Sequence, residues 1–101
     1  MVIEETALEL ILAAGDARAK AFAALKFAKT GNFEKAALYL KEAEEHLARA
    51  HGFHRGLLED EAQGGLDHPT LLLIHAHAQV MSAISEKTLI EELIEIYKRI
   101  K

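Results

Sequence analysis

The chain is 101 residues long with a formal net charge of -4 at pH 7 and no cysteine, which suits a single domain spanning residues 1–101. Without cysteine, disulfides, thiolate metal sites and cysteine nucleophiles are excluded. The 12 basic and 16 acidic residues are interspersed, so no basic face is available for nucleic-acid phosphates, and no nucleic-acid partner is expected.

The opening stretch is acidic where a secretion leader would be basic, and its apolar residues recur at helical spacing. It reads as a first helix over about 4–29, with Ile3, Ala7, Leu10, Ile11, Ala14, Ala17, Ala21, Ala24, Leu25 and Ala28 inward. Thr30, Gly31 and Asn32 follow, supplying a glycine for a left-handed helix end and an asparagine to cap what comes next. So short a connection makes the first two helices antiparallel neighbours.

The second helix is expected over about 33–63, with Phe33, Ala36, Leu40, Ala43, Leu47, Ala50, Phe53 or His54, Leu57, Leu58 and Ala62 inward. Gly52 and Gly56 lie inside it, each costing about 1 kcal/mol against alanine, with a slight bend or a closely packed neighbour as the plain explanation. The breaker cluster Gly64 to Pro69 ends it, and Pro69 fits the first turn of a third helix over about 69–99. In the second half of that helix, Leu89, Ile90, Leu93, Ile96 and Tyr97 read as inward. β-Branched and aromatic clusters bounded by turns are absent, so the chain is all-α, a three-helix up-down-up antiparallel bundle.

The run from Leu71 to Ile84 carries no charge, yet contains His75, His77, Gln79 and Ser82. A lone bundle has no way to bury such a helix on every side, so the run implies a partner, and its imidazoles are the place to look for chemistry. No apolar segment reaches the roughly 20 residues of a bilayer span, so no membrane insertion and a cytoplasmic location are expected.

Several segments together carry a resemblance. Ala14 to Arg18, Gly31 to Ala36, Glu42 with Ala43, Ala50 with His51, Glu61 with Ala62, Leu71 to Ala76 and Ile94 to Arg99 resemble the IIA component of the lactose/cellobiose (diacetylchitobiose) class of the bacterial sugar phosphotransferase system. The resemblance covers essentially the whole chain. It implies a homotrimer of nine helices with the third helices around the axis. It also implies a phosphocarrier that accepts a phosphoryl group from phosphorylated HPr and passes it to a cysteine of the cognate IIB component for uptake of a β-linked disaccharide.

The family signature has the form His-Ala-Gln-Asp-His-Leu-Met, its first histidine being phosphorylated. Here His75, Ala76 and Met81 match, whereas His77, Ala78, Gln79 and Val80 do not. The resemblance thus makes His75 the phosphoryl acceptor. Ala78 stands where the family has an aspartate associated with a divalent ion, so no metal cofactor is expected, a hard cation needing oxygen ligands.

A neutral imidazole is a good nucleophile near pH 7. Gln79 and Ser82 share its helix face and are candidates to hold the phosphoryl oxygens, with His51 a further one. His75 and His77, two residues apart, point to different sides and cannot chelate one ion. His51 and His54 share a face crowded by Arg55, and Asp16 with Arg18 reads as a buried polar tie between helices.

Ala23, Phe27, Ala37 and Leu38 lie where the family tends to place charged residues. Phe27 and Leu38 flank one turn, and the four are expected to form an exposed apolar patch, a candidate partner interface. That patch and the altered signature support a second reading, a redesigned structural trimer that docks a second designed oligomer into a closed cage with transfer activity lost.

Overall fold

The computed structural model describes residues 3–62 and 71–100, and they form three helices, α1 (Ile3–Lys29), α2 (Phe33–Ala62) and α3 (Leu71–Ile100). Among the described residues there is no strand. The helices run up, down and up, and the bundle measures 53 × 18 × 16 Å, the length of one 30-residue helix with its turn. The expected linker Gly64 to Pro69, including the placement of Pro69 in a first turn, lies outside the described residues.

Charge order supports α1 at both ends: Glu4 and Glu5 occupy its first turn and Lys26 and Lys29 its last, each sign matching the helix dipole. Gly31 then takes a positive φ of 83°. Its N–H donates to Ala28 O at 3.0 Å and that of Asn32 donates to Phe27 O at 2.9 Å, the paired bonds that close a helix over a left-handed residue. Asn32 starts α2 at once, its Oδ1 accepting from Lys35 N–H at 3.1 Å. One tripeptide therefore ends a helix, reverses the chain and caps the next helix.

The core is built on alanine. Ala7, Ala13, Ala14, Ala17, Ala21, Ala24 and Ala28 of α1 are all 0–1% exposed, and Ala36, Ala43 and Ala50 of α2 and Ala76 and Ala83 of α3 meet them. Small side chains let the backbones approach closely, and α1 packs along both of its neighbours while α2 and α3 share a shorter seam. Larger residues fill the ends. Leu10, Leu47, Leu57 and Val80 lie towards the start of α1, and Ile90 and Ile94 lie near the turn.

The inward set in the second half of α3 needs correction. Ile90 is buried and Tyr97 half-buried, but Leu89, Leu93 and Ile96 are 64%, 42% and 52% exposed, and Ile94, not among the expected residues, is buried at 3%. Together with Leu71, Ile74, Met81 and Ile100, the exposed residues form an apolar stripe along the outer side of α3. Leu8, Leu12 and Phe22 of α1 are also exposed. At Gly52 and Gly56 no neighbouring atom lies within 4 Å of where a Cβ would stand, so close packing is not the reason for either glycine.

Candidate functional site

The first half of α3 presents three different surfaces, because successive residues are turned by about 100°. Ala76, Val80 and Ala83 face the core. Ile74, Ala78 and Met81 are exposed on the outer stripe. His75, Gln79 and Ser82 occupy the flank between that stripe and α1, and His77 the opposite flank, towards α2.

His75 is exposed. One turn on, Gln79 is half-buried and its Oε1 accepts a hydrogen bond of 3.3 Å from Arg18 Nη1 of α1. Because a guanidinium only donates, this bond fixes which way the amide lies and leaves its NH2 group free to serve another acceptor. Arg18 is itself held by Glu86, with Nη2 donating to Oε2 at 2.9 Å and Nε lying 2.5 Å from Oε1. One hydrogen bond and the ion pair together hold the guanidinium against α3. Ser82 is exposed on the same flank. Arg18 and Glu86 are the residues that sequence reasoning missed as neighbours of this flank.

Asp16 and Arg18 do not pair with each other. Asp16 faces α2, with Arg49 Nη2 at 3.5 Å and His46 Nδ1 at 4.0 Å, whereas Arg18 faces α3. Both tie α1 to a neighbour, as expected, but the ties are part-exposed rather than buried, with side-chain exposures of 44% and 39%.

His51, a candidate for the phosphoryl pocket, is exposed on α2, on the His77 side of α3. His54, one turn after it, packs against His77 with ring centroids 4.8 Å apart and planes at 49°. Burial lowers the pKa of His54, and the charges of His77 and His51 push in the same direction. Within one subunit the structure therefore brings His51, His54 and His77 to one region and leaves His75 on the other flank.

Ala78 offers no oxygen, its outward neighbours are Ile74 and Met81, and among the described residues no group of three or more His, Asp or Glu side chains is arranged to hold a metal.

The expected apolar patch is smaller than foreseen. Ala37 and Leu38 are exposed, but Ala23 and Phe27 are half-buried. The Phe27 ring stacks on Tyr39 at 5.2 Å and 7°, with the Lys35 ammonium 5.0 Å from its centroid. The reversal at Gly31 brings the last turn of α1 against the second turn of α2, which covers Phe27. An open groove of about 680 Å³ beside Ala37 and Leu38 is rimmed by Glu34, Lys35 and Lys41. It lies at the turn end of the bundle, far along α3 from His75.

The model of the family described as the lactose/cellobiose-specific IIA subunit of the phosphotransferase system matches residues 5–98. The lichenan-specific phosphotransferase enzyme IIA component of Bacillus subtilis is 36% identical over 97% of this chain and 89% of its own. The lactose-specific EIIA component of Lactococcus lactis is 40% identical over 90% and 87%. Among solved structures, the cellobiose-specific enzyme IIA of Bacillus anthracis superposes with a TM-score of 0.94 at 38% identity, covering 99% of this chain and 92% of that one. The Escherichia coli IIA(Chitobiose) chain, solved in complex with HPr, gives 0.87 at 35% identity over 99% and 97%. The chain belongs to the lactose/cellobiose-specific IIA family of the sugar phosphotransferase system. The reading as a redesigned assembly subunit is not favoured: kinship runs the length of the chain, and Ala23 and Phe27 of the supporting patch are half-buried. Among the described residues no helix is long and apolar enough to cross a membrane.

Proposed function

We propose that His75 is the phosphoryl acceptor of this IIA component. Its ring nitrogen attacks the phosphorus of the phosphohistidine of HPr, so that one N–P bond forms as the other breaks. A cysteine thiolate of the cognate IIB component then attacks the same phosphorus, and the S–P bond forms as His75 leaves as a neutral imidazole. The observation that carries the reading is the exposed imidazole of His75 one turn from an amide whose oxygen is already engaged by Arg18. With that oxygen occupied, Gln79 is left to donate through NH2 to a phosphoryl oxygen, and a fixed donor stabilises charge better than one that must reorient. Ser82 is a second donor. His51 contributes only if brought there from another subunit.

The outer stripe of α3 supports a homotrimer about that helix, nine helices in all. Seven large apolar residues on one side of a helix are more than a small soluble protein leaves in water. The same arrangement sets the His75 flank beside a subunit boundary, open to two proteins in turn. Transfer proceeds without a bound divalent ion, since position 78 supplies no ligand. The setting is cytoplasmic, and the sugar is a β-linked disaccharide or short β-glucan fragment, the class that includes the lichenan, chitobiose and lactose of the relatives' names.

The test is incubation with phosphorylated HPr followed by detection of acid-labile phosphate. One phosphate per subunit is expected, mapping to His75, with label absent from His75→Ala while helicity is unchanged. Label that persists in His75→Ala overturns the assignment.

A further inference from the structure

We propose that His54 and His77 form a two-histidine site for a borderline transition-metal ion of the zinc, nickel or copper class, on the seam between α2 and α3 and apart from the His75 flank. The pair joins two helices, so it is no accident of neighbours in sequence, and its ring separation is within the range of two imidazoles on one ion. With a metal–nitrogen bond of about 2.1 Å, two imidazoles on one ion at angles of roughly 90° to 109° have centroids about 4.5 to 5.2 Å apart. The observed separation is 4.8 Å. The 49° tilt is not a stacked arrangement.

The chemistry of the surroundings agrees. Among the described residues no carboxylate is clustered with the two rings, so none competes with an ion for them. His77 is exposed, giving an ion an entry path and leaving positions for water. Two imidazoles select borderline metals over magnesium or calcium, which require oxygen. Among the described residues no third protein ligand is assembled, so the site is open rather than a closed structural cage.

The experiment is titration of the metal-free protein with zinc, and separately with nickel, by calorimetry in a non-chelating buffer, with the imidazole resonances followed by NMR. One equivalent per subunit is expected, perturbing the resonances of His54 and His77. His77→Gln and His54→Gln should each weaken binding by roughly tenfold or more, while His75→Ala leaves it unchanged. His77→Gln changes only an exposed position and is expected to fold normally. Absence of saturable binding, binding indifferent to His77→Gln, or binding lost in His75→Ala each overturns the proposal. None of these outcomes bears on phosphoryl transfer, which is measured separately.

Discussion

Arg18 illustrates how much turns on the direction of a single side chain. In sequence it stands two places from Asp16 and invites pairing with it, but two residues on a helix are about 200° apart. One therefore reaches α2 and the other α3. The run around His75 was legible because an uncharged helical stretch with imidazoles in it is unusual, and family resemblance selected among the histidines. Arg18 and Glu86 were not legible as its neighbours, since their meeting depends on which residues of α1 and α3 lie level, and periodicity does not fix that. Replacing Arg18 with Ala should reduce the rate of phosphoryl transfer to the protein by about tenfold to a hundredfold, because Gln79 loses the bond that holds its amide in place. It should also cost about 1 kcal/mol in stability, because the Glu86 pair is part-exposed. Arg18→Lys should restore much of the stability and little of the rate, since an ammonium does not reproduce the fork. Transfer kinetics beside urea unfolding would separate the two effects.

At the scale of the helix, the end of α1 at Lys29 and the start of α2 at Phe33 were read from the sequence, and the turn at Gly31 followed from residue types alone. What failed was the second half of α3. Leu89, Leu93 and Ile96 recur at the same three-and-four spacing as Ile90, Ile94 and Tyr97, so two apolar stripes interleave on one helix and periodicity does not say which meets α1. Helix α2 offers a separate prediction. The space beside Gly52 is open, so Gly52→Ala should stabilise the protein by about 0.5–1 kcal/mol, seen as a raised thermal midpoint.

Lys87 provides a test of the α2–α3 seam, where it is paired with Glu44 of α2 and Glu91. Burial works against its charge, yet the two carboxylates outweigh burial and raise its pKa. Protonation is therefore favoured by folding. The stabilisation is present in full below the ordinary lysine pKa of about 10.4 and is lost as pH rises through the higher folded value. Lys87→Gln should be less stable than the parent at pH 8, and the gap should close as unfolding is measured from pH 10 upwards.

For the molecule as a whole, the outer stripe of α3 makes oligomerisation the main unmet requirement of the fold. Ile96→Lys should convert the trimer to smaller species in sedimentation without loss of helix, because Ile96 is 52% exposed in the subunit and is not needed for its core. An overpacked contact between α1 and α2 should act differently. Ala24 is 0% exposed, and Ala24→Leu should cost about 1–3 kcal/mol within the subunit itself.

The alanine ridge along α1 has one more consequence. Flanked closely on two sides, α1 is the keel of the bundle, whereas α2 and α3 touch each other over less of their length. Amide hydrogens along the middle of α1 should accordingly be the last to exchange with deuterium, and local opening should begin with α2 peeling from α3 at the end remote from Gly31. If so, the rings of His54 and His77 sit across the first zip to part, and an ion bridging them would slow exchange there before anywhere else.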